Sequence, residues 1–438
     1  MKEKRYASVF EYEGMPPFRQ AFPLALQHVV AMIVGCVTPA IMVSGTAGLE
    51  NAEKVILIQA SLVFSALSTL LMLFPIKIGK NLRIGAGLPV MVGVSFSYVL
   101  SMQTIASSHG IGAILGAQLF GGIIAVIVGL SIDRIRKFFP PLIAGTVVFT
   151  IGLSLYPTAI NYMAGGTGSA DYGSWQNWFV SILTLIIVTV LNHFTRGFIK
   201  LAGILISMAC GYVVAAFMGM INFDAVFEAS AFAPPVPFHF GIEFEPSACI
   251  AIGLLFAINS IQAIGDFSAT TGGAMDRSPT NEELRGAITG YGIANIISSL
   301  FGGLPTATYS QNVGIVTTTK VINRCVLGLA ALIILLAGLS PKFSAVLTTI
   351  PYAVLGGATV SVFASIAMTG IKLVMSEKPS ARDTSIVGLA AALGMGISQA
   401  SDSLSTFPEW VTTIFGNSPV VIATIVAVFL NITLPKDE

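Results

Sequence analysis

Long apolar runs separated by short polar joints fill this chain from about residue 20 to its end. They can be read at Phe22–Val43, Val55–Ile76, Gly87–Ile105, Ile111–Ile132 and Pro141–Ile160, then at Trp178–Leu191, Leu201–Ile221, Ala248–Ile264 and Gly286–Phe301. A polar stretch at Leu304–Thr319 follows, and after it come Val321–Leu339, Ile350–Leu373, Thr384–Gly396 and Pro419–Leu434. With the polar stretch included, the pattern predicts fourteen crossings of a membrane. Several are shorter than the ~20 residues a straight transmembrane helix needs.

The polar stretch is the exception that draws attention. Within Gly302–Lys320 nearly every residue from Thr306 to Thr319 that is not Gly, Ala, Val or Ile carries a hydroxyl or an amide, and Pro305 interrupts the backbone. Its backbone groups would find no partner in lipid, so at membrane depth it must be buried in protein or line a cavity. Transporters commonly build a binding site from such a broken element. A short re-entrant or extramembrane loop is the plainer alternative.

Composition agrees with the pattern. Hydrophobic residues make up 54% of the 438 and charged residues 10%, against roughly 25% charged in a soluble domain. This is the composition of a polytopic membrane protein. The net charge of +1 gives no reason to expect a nucleic-acid partner. Cys36, Cys210, Cys249 and Cys325 show no CxxC spacing and read as packing residues. Met1–Pro17 is polar and the first apolar run is long enough to span, so no cleavable signal is expected.

Charge checks the count of crossings. With fourteen crossings and both termini cytoplasmic, of the 22 Lys and Arg only Lys54 and Lys342 fall outside. The loop Asn222–Pro246 contains Asp224, Glu228, Glu243 and Glu245 and no basic residue. One miscounted crossing would spoil this positive-inside pattern. Of the acidic residues, Asp266 alone falls at membrane depth. A carboxylate there is costly and is a functional hypothesis by default, the bland alternative being a helix cap or a buried backbone pairing.

Two pairs of segments resemble each other. Gly87-Leu-Pro-Val-Met-Val-Gly-Val-Ser95 in the third crossing echoes Gly303-Leu-Pro-Thr-Ala-Thr-Tyr-Ser-Gln311 in the tenth, at an offset of 216 residues. Pro141-Leu-Ile-Ala-Gly145 in the fifth echoes Pro351-Tyr-Ala-Val-Leu-Gly356 in the twelfth, at an offset of 210. Seven crossings per half make the repeat inverted. The expected fold is an all-α polytopic membrane protein of 14 transmembrane segments, a 7+7 inverted repeat, with short extended stretches in segments 3 and 10. Pro89 and Pro305 break the helical pattern there, and each stretch should lead into a half-helix whose N-terminal amides face a ligand.

The candidate site residues come from these elements. His28 sits in the first crossing, Ser95 and Phe96 follow the interruption in the third, and Gln311 and Asn312 follow it in the tenth. In the eighth, Gln262 and Asp266 are four residues apart on one helix face, with Asn259 a turn earlier. The carboxamides of Gln262 and Gln311 each offer an acceptor and two donors in a plane, suited to the edges of a flat heterocycle, and Phe96 suits its face. These segments hold no basic residue for sulfate or phosphate.

The chain resembles the nucleobase–ascorbate transporter family, also called nucleobase:cation symporter-2. The family signature [Q/E/P]-N-x-G-x4-T-[R/K/G] is met at every position by Gln311, Asn312, Gly314, Thr319 and Lys320. Gln27-His28, Val94-Ser-Phe-Ser97 and Gly265-Asp266 support it. The resemblance implies a first core part at 18–132, a first gate part at 133–221, an outer loop at 222–247, a second core part at 248–340 and a second gate part at 341–438, after a cytoplasmic tail at 1–17. It implies homodimers in the plasma (inner) membrane, elevator-type alternating access, and proton symport of uracil, xanthine or urate. No cofactor or metal is expected; the proton is the expected coupling ion. Where members usually carry a glutamate four residues before the Asp, this chain has Gln262, so coupling falls to Asp266 with His28, or is altered or absent. Gln311 and Gly-Asp-x-x-Ala-Thr at 265–270 resemble the xanthine and urate branch more than the uracil branch. A uracil permease of this family and a sulfate/bicarbonate-type transporter of related fold remain the alternatives. An enzyme is disfavoured, since neither HExxH nor GxSxG appears.

Overall fold

The computed structural model describes residues 7–78, 82–135, 140–376, 378–408, 411–416 and 418–435. Lys2, Lys4, Arg5, Lys80, Arg136, Lys137 and Lys436, which enter the charge balance, lie outside the described residues, as does the start of the tail at 1–17.

The protein is mostly helical. In chain order the main elements are α1 (Phe18–Thr46), α2 (Asn51–Leu73), β1 (Ile76–Ile78), β2 (Leu82–Ile84), β3 (Val92–Val94) and α3 (Val99–Leu130). Then come α4 (Pro141–Ser154), α5 (Tyr156–Met163), α6 (Trp175–Phe194), α7 (Gly203–Phe217), α8 (Pro246–Met275) and α9 (Asn281–Leu300). The remainder are β4 (Thr306–Thr308), α10 (Ser310–Thr319), α11 (Arg324–Gly338), α12 (Pro341–Thr348), α13 (Tyr352–Val374), α14 (Ala381–Gln399) and α15 (Pro419–Thr433). Among the described residues, seven helices are long and apolar enough to cross a membrane, or eight if α11 and α12, bent by 80°, form one span.

Helix starts follow the local chemistry. Proline occupies the first position of α4, α8 and α15, where its missing N–H is no loss. Capping boxes open α2 through Glu50 and Glu53, α9 through Thr280 and Glu283, and α14 through Ser380 and Asp383. Inside α3, Gly110 takes φ 79°, ψ −174° and breaks the helix between two apolar runs.

Two helices outrun the apolar pattern by five residues or more at one end. Helix α8 continues past Ile264 to Met275 because Thr270 and Thr271 return their hydroxyls to Asp266 O and Phe267 O at 2.8 and 3.0 Å. Helix α9 begins five residues before the run at Gly286, on its polar capping box.

The chain separates into two compact units, one of residues 1–135 and 228–345, the other of 136–227 and 346–438. In the first, α3 packs on α8 and α9, α2 on α1 and α11, and α10 on α8 and α1. In the second, α13 packs on α4, α5 and α6, while α14 and α15 pair beside α4. From Glu228 onward the loop at 222–247 falls within the first compact unit. Its backbone is tied there by Ala233 N to Leu339 O at 3.2 Å, Phe238 N to Leu300 O at 2.7 Å and Glu243 N to Gly112 O at 3.0 Å.

Candidate functional site

Strands β3 and β4 pair antiparallel, with Val92 opposite Thr308, Gly93 opposite Ala307 and Val94 opposite Thr306. Pro89 and Pro305 lie just ahead of the two strands. Each strand runs directly into a helix, β3 through a single turn at Phe96–Tyr98 into α3, and β4 through Tyr309 into α10. All six strand residues are buried.

A buried two-stranded ribbon has two outer edges whose backbone groups need partners. Beyond the ladder, Tyr309 N donates to Met91 O at 3.0 Å and Ser95 N to Pro305 O at 3.1 Å. Val92 and Val94 turn outward to α2, where Val92 N donates to Thr69 Oγ1 at 2.9 Å and Val94 N to Ser65 Oγ at 3.3 Å. The Thr69 hydroxyl in turn donates to Val92 O at 2.9 Å. On the other edge, Asn295 of α9 accepts from Thr306 N at 2.9 Å and donates to Thr306 Oγ1 at 3.1 Å. The Tyr309 hydroxyl donates to Val94 O at 2.6 Å, and its ring fills the space left by Gly35 and Gly93.

The ribbon and α10 present their polar side chains to α8 and α1. Asp266, mid-helix in α8, accepts from Thr308 Oγ1 on one carboxylate oxygen at 2.5 Å and from Ser310 Oγ on the other at 2.7 Å. Among the described residues it neither caps a helix end nor meets a backbone donor; two hydroxyls hold it. Asn312 Nδ2 lies 3.1 Å from both His28 Nδ1 and His28 O on α1. A proton donated to Nδ1 makes that nitrogen the acceptor and places the imidazole hydrogen on Nε2. One carboxylate thus ties α8 to β4 and α10, and one carboxamide ties α10 to α1.

The other predicted residues fall into two groups. Gln262 and Gln311 are half-buried, Phe96 is buried at the first turn beyond β3, and Ser95 caps that turn by accepting from Ser97 N at 3.2 Å. The oxygens Gln262 Oε1 and Asn312 Oδ1 are buried without a hydrogen-bond partner among the described residues. The rest of the signature serves the end of α10. Gly314 is exposed, Thr319 returns its hydroxyl to Ile315 O at 2.8 Å, and Lys320, left-handed at φ 58°, donates through Nζ to Gly273 O. These three are not gathered with Asp266, His28 and Asn312 by any hydrogen bond among the described residues.

Sequence reasoning missed Thr308 and Ser310 as the partners of Asp266, and missed Ser61, Ser65, Thr69 and Asn295 altogether. A signal for the α2 residues existed: hydroxyls recur every fourth position at Ser61, Ser65 and Thr69 of an otherwise apolar helix.

A multi-pass helical chain whose two interrupted segments meet as a buried ribbon edged by amides and hydroxyls has an architecture common among membrane transporters. The model of the permease family that embraces xanthine and uric acid carriers matches residues 19–403. The chain belongs to that family, the nucleobase–ascorbate transporters. It is 34% identical over 420 residues to the uric acid permease PucJ of Bacillus subtilis, covering 94% of this chain and 92% of that one. The Bacillus subtilis xanthine permease is 32% identical over 418 residues, with 95% and 94% covered. Escherichia coli K12 xanthine permease XanQ is 30% identical over 444 residues, with 98% and 94% covered. Among solved structures, the transmembrane domain of the cyanobacterial bicarbonate transporter BicA aligns with a TM-score of 0.61 at 15% identity, covering 94% of this chain and 98% of that one. Murine Slc26a9, an anion transporter in its inward-facing state, aligns at 0.62 and 11%, covering 99% and 69%. At such identities the likeness is one of fold.

Proposed function

We propose that this nucleobase permease carries a purine base, xanthine or urate, across the plasma membrane, bound between α8, α10 and the start of α3. The observation that carries this reading is that, of the amide oxygens buried without a hydrogen-bond partner among the described residues (Gln118 Oε1, Asn259 Oδ1, Gln262 Oε1 and Asn312 Oδ1), Gln262 Oε1 and Asn312 Oδ1 lie on two helices already tied by Asp266. A buried acceptor without a donor costs about 1–3 kcal/mol. A planar base supplies several ring N–H donors that relieve that cost; sulfate supplies only acceptor oxygens and worsens it, and bicarbonate supplies a single hydroxyl donor beside its charged oxygens. Gln311 reads the other edge of the base, the first amides of α10 receive its carbonyls, and Phe96 covers a face. The names of the relatives favour a purine over uracil, as does Gln311.

Asp266 is the coupling group in this reading, with His28 held on the same helix α10 through Asn312. Both its oxygens accept hydroxyl protons. Protonation turns one acceptor into a donor, so one hydroxyl must reverse, and the tie between α8 and α10 is sensitive to the proton. Gln262 cannot titrate.

The fourteen-crossing inverted repeat, both termini cytoplasmic, belongs to the same proposal. It is supported by Pro89 and Pro305 standing ahead of antiparallel strands, and by Pro141 and Pro351 standing at the starts of α4 and α13. The two compact units are assigned as core and gate of an elevator in a homodimer, the first unit carrying every proposed site residue. Uptake of radiolabelled xanthine, urate, uracil and sulfate by cells expressing the protein tests the function. Saturable xanthine or urate uptake is expected; sulfate uptake with no nucleobase uptake contradicts it.

A further inference from the structure

We infer that α2 sets substrate affinity from outside the binding site, its hydroxyls standing in for a third strand, with Thr69 the positioning residue that fixes β3. The inference rests on the reading of the ribbon as the wall of the nucleobase site.

The geometry of helices and strands makes the substitution feasible. Four residues of α-helix rise about 6 Å, and two residues of strand advance about 6.6 Å. A helix with a hydroxyl at every fourth residue therefore keeps pace with alternate residues of a strand laid along it. Here Thr69 meets Val92 and Ser65, four residues back, meets Val94, two residues on. Ser61, four residues further back, meets Leu304 N at 3.4 Å, just ahead of β4. One face of α2 thus holds both interrupted segments. All three side chains are buried.

Thr69 is the strongest point of attachment. Its hydroxyl accepts from Val92 N and donates to Val92 O, both at 2.9 Å, as an edge strand would bond its neighbour. A two-stranded ribbon has weakly specified register unless something outside pins it. Ser95 and Phe96 follow Val92 by three and four residues, while Ser310 and Gln311 follow β4. A slack β3 shifts the first pair relative to the second and changes the width and edge pattern offered to the base. Thr69 touches no substrate; it acts through Val92.

Uptake kinetics of the full-length protein test this, using the base that the wild type transports, Thr69→Val, Thr69→Ser, and membrane abundance measured in parallel. Thr69→Val keeps the shape of the side chain and removes both bonds. The expected result is a rise in KM of about fivefold or more, with Vmax per transporter held and the ratio of KM values for xanthine and urate altered. Thr69→Ser keeps the hydroxyl and restores both values. A purely structural role would lower abundance and Vmax together and leave KM and that ratio unmoved. Wild-type KM in Thr69→Val, or equal damage in Thr69→Ser, overturns the inference. Should Thr69→Val not reach the membrane, Ser65→Ala carries the test, and an unchanged KM there overturns it. A wild type that takes up no nucleobase overturns the underlying reading instead.

Discussion

At the scale of single residues, the site rests on a few polar groups that lipid could not satisfy. Asp266 was legible in the sequence because it is the one acidic residue left at membrane depth after the loops are assigned. Its partners were not, since Thr308 and Ser310 lie 42 and 44 residues away and no local pattern joins them to it. His28 and Asn312 were each singled out, yet their hydrogen bond spans 284 residues and only the fold brings it about. Asp266→Asn keeps a side chain that accepts from one hydroxyl and removes the titrating group. Proton-driven accumulation of the base should be lost while exchange of internal for external base persists. Measuring substrate-dependent alkalinisation beside counterflow checks this, and alkalinisation surviving in Asp266→Asn contradicts the coupling role. Gly93 is constrained by close packing. A Cβ there would lie 2.5 Å from Tyr309 Cε2 and 2.6 Å from Cys36 Sγ. Overpacking of this kind costs about 1–3 kcal/mol, and because the displaced ring ties β4 to β3, Gly93→Ala should cut uptake by about tenfold or more at unchanged abundance.

At the scale of elements, the apolar runs located the helices well, and their ends less well. The reading of α8 stopped at Ile264 because the next turns carry Asp266, Ser268, Thr270 and Thr271. Hydropathy counts such residues as breaks, whereas in a packed bundle their hydroxyls return to the preceding turn or to a neighbouring segment. The start of α9 was hidden for a related reason: its first turn is polar and held by the capping box with Arg277 close by. Arg277 donates to both Glu283 oxygens, at 2.7 and 2.8 Å, and Thr280 N donates to one at 2.8 Å. Burial alone would raise the Glu283 carboxyl; the Arg277 bonds and the Thr280 N–H outweigh it and hold the group below its ordinary value, which is about 4.3 in a free chain. A lowered folded-state value adds stability above that range and loses it as pH falls through the folded value. The thermal midpoint of the detergent-solubilised protein should therefore drop as pH is lowered from about 5 into the acid range. Glu283→Gln should start lower and show a shallower decline; an identical profile contradicts the role given to the pair.

At the scale of the whole molecule, composition and the charge balance made the membrane class plain, and the signature at Gln311–Lys320 made the family plain. Legible too was the special character of the segments around Pro89 and Pro305. What could not be read was how they are held. The partners of a buried ribbon come from α2 and α9, which read as ordinary apolar helices, and a hydroxyl inside such a helix carries no mark of the backbone it will meet. The attachments of the loop at 222–247 were hidden for the same reason, because its bonds to Gly112, Leu300 and Leu339 join distant parts of the chain. The molecule these parts build is a permease, and the proposed reading puts in its first compact unit a carboxamide-lined site beside one carboxylate. Equilibrium binding of radiolabelled xanthine and urate to the purified protein tests that claim most directly, with wild type and Gln311→Ala compared at equal folded amounts. Saturable binding by the wild type is expected, weakened about tenfold or more in Gln311→Ala by the loss of its paired hydrogen bonds to the base. Equal affinity in the two proteins, or no binding of either base by the wild type, would contradict it.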